Sequence, residues 1–109
     1  MPGRYDLDLP ENQRKLEIVT ELATVADEAG LTMVELALAF VLEHPAVSAA
    51  IIGPRTMEQL ESQLGTADIV LGDDVLDRID EIVPPGQNVG GADPGWAPPS
   101  VTEARLRRR

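Results

Sequence analysis

The chain has 109 residues and 11.7 kDa, 43% hydrophobic but only 3% aromatic, so it is at most one domain with a core of Leu, Ile, Val and Ala. Its net charge of −10 opposes wrapping of nucleic acid or an anionic membrane. The absence of cysteine excludes a disulfide scaffold, thiolate catalysis and cysteine-ligated zinc, and a single histidine, His44, excludes a multi-histidine metal site.

The charge is unevenly placed. Arg105, Arg107, Arg108 and Arg109 are four of the nine basic residues, so the first 104 positions hold five basic against nineteen acidic residues, a balance of −14. No run approaches the roughly 18 apolar residues of a membrane span. Met1-Pro2-Gly3-Arg4-Tyr5-Asp6 has no apolar leader segment, and a soluble cytoplasmic protein is expected.

Residues 1–11 read as a polar, proline-punctuated loop. From Asn12 to Ala29 the apolar positions Leu16, Val19, Leu22, Ala23, Ala26 and Ala29 describe one face of an amphipathic helix, and Gly30 suits its C′ position. Thr32-Met33-Val34-Glu35 has the form of a capping box and opens a second helix. Its run Val34–Leu42 is apolar nearly all round and expects burial on more than one side. Residues 46–52, Ala-Val-Ser-Ala-Ala-Ile-Ile between Pro45 and Gly53, have the pattern of a strand buried on both faces. A further capping box, Thr56-Met57-Glu58-Gln59, starts a helix running to Leu64 and closed by Gly65. A last helix spans Asp73–Val83, with Leu76, Ile79, Ile82 and Val83 inward and Asp77, Asp80 and Glu81 on a solvated face. Residues 84–109 hold nine Gly or Pro in 26 positions and are expected to lack regular structure.

The junction Ile51-Ile52-Gly53-Pro54-Arg55-Thr56 carries the strongest chemical signal. A glycine lets backbone approach a ligand, a helix N-terminus offers unpaired amides and a positive dipole, and Arg55 adds a fork-shaped cation suited to phosphate. The plainer alternative is a strand-to-helix turn with a solvated arginine. His44, before Pro45, reads as a cap on helix carbonyls. Met33 and Met57 read as packing residues, and Trp96 either as docking the tail onto a surface, the preferred reading, or as lining a pocket. Ala26–Thr32 resembles a helix-turn-helix corner, but the following helix offers Glu35 and Leu-Ala-Leu-Ala-Phe where a recognition helix needs basic residues. No nucleic acid or membrane partner is expected.

Gly30-Leu31-Thr32, Glu35–Leu42, the block Val47–Leu64 and, more weakly, Asp77–Ile82 together resemble the C-terminal part of an aldo-keto reductase. Ile51-Ile52-Gly53-x-Arg55-Thr56-x-Glu58-Gln59-Leu60 is the most specific stretch, and points to the branch of potassium-channel β subunits and bacterial general-stress reductases. The resemblance implies an α/β fold: the C-terminal fragment of a (β/α)₈ TIM barrel, mostly helical with one buried strand at about 46–52. Residues 1–88 would be the partial barrel from after strand 7, and 89–109 a C-terminal loop with a basic end lying over the substrate mouth.

It also implies an NADPH-dependent oxidoreductase reducing small aldehydes and ketones. Gly53 and Arg55 fall at the family's cofactor-phosphate loop, and Gln59 faces the adenosine side. Ser62 and Gln63 stand where the family usually has Glu and Asn against the adenine, and Arg4 matches a basic residue that assists the phosphates. The family's Asp-Tyr-Lys-His tetrad belongs to earlier strands, and Tyr5 and His44 do not sit at its positions, so the chain alone is expected to be inactive. A barrel usually needs about 250 residues. The strand and the apolar helix therefore expect a complementary barrel segment or self-association, and the chain alone is expected to be marginally stable or partly molten. The rival reading is a small helical interaction protein without catalysis.

Overall fold

The computed structural model describes Gly3, residues 6–89 and residues 95–109. Its elements are α1 (Pro10–Glu28), α2 (Met33–Glu43), α3 (Met57–Leu64), a 3-10 turn (Gly65–Asp68), α4 (Asp73–Ile82), α5 (Pro99–Thr102) and α6 (Ala104–Arg107).

α1 starts two residues earlier than the apolar pattern predicts because Pro10, with its fixed φ and missing N–H, is preformed for the first helical position. Leu9 offers no side-chain cap. Asn12 fixes the entry instead: buried, it donates to the carbonyls of Gly3 (2.9 Å) and Asp6 (2.7 Å). At the other end Gly30, at φ 70°, makes a complete Schellman closure. Gly30 N–H donates to Asp27 O (3.1 Å) and Leu31 N–H to Ala26 O (2.9 Å). Leu31 then packs against the core, and the chain turns at once into α2.

The predicted capping box of α2 forms in full. Thr32 Oγ1 accepts from Glu35 N–H (3.2 Å), and Glu35 Oε2 accepts from Thr32 N–H (2.7 Å). At α3 the reciprocal bond is displaced by one residue. Thr56 Oγ1 accepts from Gln59 N–H (3.2 Å), but Gln59 Oε1 accepts from Arg55 N–H (2.8 Å) rather than from Thr56. Gly65 ends α3 with an ordinary αR backbone and leads into the 3-10 turn.

The core is small. Val25 and Ala26 of α1, Leu36 and Ala39 of α2, Leu71, and Leu76 and Ile79 of α4 form its buried cluster. The alanines let helix backbones approach, and Leu22, Met33, Ile69 and Ile82 pack around it. The α1 face differs from the expected one. The buried stripe is Ile18, Leu22, Val25, Ala26, whereas Leu16 and Val19 are each 52% exposed. The apolar residues of α1 from Leu16 to Ala26 form a stripe too broad to be covered whole, and the neighbours present, α2 and α4, select which part is covered. α2 is not buried all round: Val34, Phe40 and Val41 remain exposed.

The expected strand at 46–52 does not form, and no strand occurs among the described residues. Ile51 is fully exposed. The reason is non-local: an extended segment becomes a strand only by pairing, and no second segment here supplies a ladder. The Pro/Gly-rich tail is not wholly irregular either. Pro98 and Pro99 preset the φ of a helix start, and α5 and α6 follow. The whole chain exposes 7644 Å², against about 5900 Å² for a globular monomer of this mass. It is an under-buried molecule.

Candidate functional site

Gly53, Arg55 and Gln59 meet at the start of α3. Arg55 is exposed, and among the described residues its guanidinium makes no ion pair. The N-terminus of α3 lies two residues on. Thr56 takes the Gln59 amide, while Met57 and Glu58, at the first two helical positions, keep amides with no intrahelical acceptor. A free cation beside free amides can hold an anion. Glu58 in the same first turn opposes it, so the local field is only weakly positive. A Cβ on Gly53 would meet nothing within 4 Å, so crowding within the chain does not require glycine there.

The remaining expected contacts lie along one face of α3. Gln59, Ser62 and Gln63 are three and four residues apart and therefore neighbours. Gln59 Oε1 is occupied by the Arg55 amide, and Ser62 Oγ donates to Gln59 O at 2.8 Å. Both side chains are turned back onto their own segment. Gln63 is half-buried. Arg4 and Tyr5 lie outside the described residues.

Two expectations about other residues are corrected. His44 does not cap the carbonyls of α2. Its Nδ1 accepts from Ala46 N–H (3.1 Å) and its Nε2 lies 2.9 Å from Ser100 O, which assigns the neutral Nε2–H tautomer. Pro45 turns the backbone away, so the ring bridges to the tail instead. Trp96 is 80% exposed, and among the described residues it does not dock the tail onto a surface.

The residues that do fix the tail are arginines. Arg107 pairs with both oxygens of Asp80, and Arg108 reaches Asp80 (2.7 Å), Asp77 (2.7 Å) and Asp73 (3.3 Å). Asp80 is thus not on a solvated face. The signal was the charge asymmetry itself, −14 before the last five residues and four arginines within them. Burial alone would raise the Asp80 carboxyl, but the bonds from Arg107 and Arg108 outweigh it and hold the group below its ordinary value. Glu35 is also lowered, by the backbone and then the side-chain bond from Thr32.

Both carboxylates are depressed in the folded chain, so their stabilisation is present above the ordinary values near pH 4 and is lost as pH falls through the lower folded ones. In an acid titration followed by circular dichroism, helical signal should fall below about pH 4. Asp80→Asn should already lack the part its carboxylate holds at neutral pH.

A model described as "Aldo/keto reductase family" matches residues 2–84. That stretch is most of the chain and includes the Gly53–Gln59 junction. The chain belongs to the aldo/keto reductase family. It is 33% identical over 79 residues to a putative voltage-gated potassium channel subunit beta of Schizosaccharomyces pombe, covering 71% of this chain and 23% of that protein. It is 40% identical over 78 residues to the uncharacterized oxidoreductase YrpG of Bacillus subtilis, with the same coverages of 71% and 23%. Protein tas of Escherichia coli is 33% identical over 64 residues, covering 59% and 18%. The chain therefore spans about a quarter or less of the length of these aldo/keto reductase relatives, and the family's barrel fold enters here as a fragment. Among the described residues no helix is long and apolar enough to cross a membrane.

Proposed function

We propose that this chain is the NADPH-binding, C-terminal portion of an aldo-keto reductase that reduces aldehydes or ketones to alcohols. The observation that carries this reading is the unpaired Arg55 guanidinium beside the free first-turn amides of α3, inside the stretch that matches the family. Bound NADPH would supply the hydride. In this chain Arg55 would hold the 2′-phosphate, and Gly53 would let it approach the backbone. The Arg55–Gln59 bond fixes the loop that presents the cation. The adenine end fits less well, because Gln59 and Ser62 must release their internal bonds to reach a ligand. Arg4 and Gln63 complete the proposed set. No residue here takes a tetrad role, so the reaction's proton would come from a preceding barrel segment and the chain alone would be inactive.

Titration of the chain with NADPH and with NADH, followed by nicotinamide fluorescence, tests the reading. A charge-assisted arginine–phosphate bond is worth about 1.5–3 kcal/mol, so NADPH should bind at least about tenfold more tightly. Arg55→Ala should abolish the difference while leaving NADH binding unchanged. No binding, or equal binding of both nucleotides by the unsubstituted chain, favours the second reading. That reading is a helical interaction protein without catalysis, and the exposed Val34, Phe40, Val41 and Ile51 support it.

A further inference from the structure

The match to the family stops at residue 84, and the docked tail lies beyond it. α5 and α6 bury no residue, and the core cluster contains none from the tail. Polar bonds hold it instead, at the C-terminal end of α2 and along one face of α4. α2 ends in the buried carboxylate Glu43 with no basic residue in its last turn, which is the wrong charge for the negative end of a helix. Arg109 repairs this. Its backbone N–H donates to Glu43 Oε1 (3.2 Å), its Nε to Leu42 O (2.8 Å) and its Nη2 to Val47 O (2.7 Å). α4 likewise has no basic residue in its last turn, and Arg107 and Arg108 sit on its aspartates. At the far end of the tail His44 Nε2 meets Ser100 O, and Gly86 at φ 83° lies where a Cβ would be 3.0 Å from Ala97 Cβ. Positive φ and close approach both require glycine there.

Between α2 and α4 the tail forms one wall of an apolar cavity of about 610 Å³, lined by Ala37, Phe40, Val41 and Val47 opposite Val101 and Arg107. We propose that residues 97–109 are a strap latched by Arg107, Arg108 and Arg109, which opens as a unit while the core of α1, α2 and α4 stays folded, and that it gates this cavity. The separation follows from the bonding. The core cluster is apolar and takes none of its residues from the strap, whereas the strap is held by ion pairs and carbonyl bonds that water and salt can replace. The latch engages the beginning of the 46–52 segment, at Val47, and leaves the Arg55 loop at its other end free.

Hydrogen-exchange mass spectrometry of the full chain tests this. The comparison is with Arg107→Gln/Arg108→Gln/Arg109→Gln, with Arg105→Gln as control because Arg105 is exposed and, among the described residues, pairs only with neighbouring Glu103. Peptides from 97–109 should be protected in the unsubstituted chain and lose about tenfold or more of that protection in the triple variant. Peptides from α1, α2 and α4 should be unchanged, and so should the control. Raising NaCl to about 0.5 M should loosen the strap of the unsubstituted chain in the same direction and raise binding of an apolar dye. Three results overturn the proposal: an unprotected strap in the unsubstituted chain, equal protection with and without the arginines, or loss of protection in α1, α2 and α4 together with the strap. The salt arm decides the matter without any substitution, so a variant that does not fold leaves the proposal exposed to refutation.

Discussion

Leu36→Ala should unfold the chain under conditions where Val41→Ala, five residues further along the same helix, changes little. Leu36 is 3% exposed and belongs to the only buried cluster among the described residues; Val41 is 43% exposed and lies outside it. Truncating a buried leucine costs about 2–5 kcal/mol, and surface changes stay within about 0.5 kcal/mol. Domains of ordinary size have only about 5–15 kcal/mol to lose, and seven buried core residues place this chain at the low end. Urea denaturation followed by circular dichroism separates the two variants. Equal effects would mean that α2 turns its other face to the core.

The second large effect concerns association. Val34, Phe40, Val41 and Ile51 present exposed apolar surface, Phe40 and Val41 within the lining of the cavity beside the strap. Taking such a side chain from full exposure to burial is worth about 1.5–3 kcal/mol, and about half of that for the three already partly covered, so contact between copies through two or three of them is favoured. Sedimentation velocity over a range of concentrations should show the chain growing in mass. Phe40→Ser/Val41→Ser/Ile51→Lys should weaken that association by about tenfold or more at little cost to the fold, since all three side chains are exposed. A monomer with a sharp, cooperative melt at every concentration would remove both this expectation and the view that these surfaces lack their neighbours.

What could be read from the sequence was what adjacent residues decide. Thr32 with Glu35, Gly30 after Ala29, and the Leu76–Ile79–Ile82 spacing each specify their structure within four or five residues, and each appears as expected. The junction at Gly53–Gln59 was legible as a helix start beside a cation for the same reason. Its finer geometry was not, because whether Gln59 reaches back to Thr56 or to Arg55 depends on the path of the preceding loop. The segment 46–52 was misread because strand formation depends on a partner, and composition reports only that burial is wanted. The same holds for α1: its stripe could be counted, but the neighbour that chooses between Leu16–Val19 and Ile18–Val25 lies elsewhere in the chain. Nine Gly and Pro residues predict an irregular tail, and nothing local to its four arginines predicts otherwise. The partners of Arg107 and Arg108, Asp73 to Asp80, and those of Arg109, Leu42 to Val47, are too far away along the chain for any window to connect them.

That distance also sets a clock. The helices close on contacts three to five residues apart, which form in about a microsecond. The bonds of Arg107 and Arg108 span 27 to 35 residues, and those of Arg109 span 62 to 67. At about 5–20 residues per second, Asp80 waits on the order of seconds during synthesis before Arg107 exists, and Glu43 waits longer for Arg109. Throughout that interval the C-terminal end of α2 carries a carboxylate with no cation beside it, and the cavity between α2 and α4 stands open on one side. Whatever meets this chain while it is being made meets it in that state.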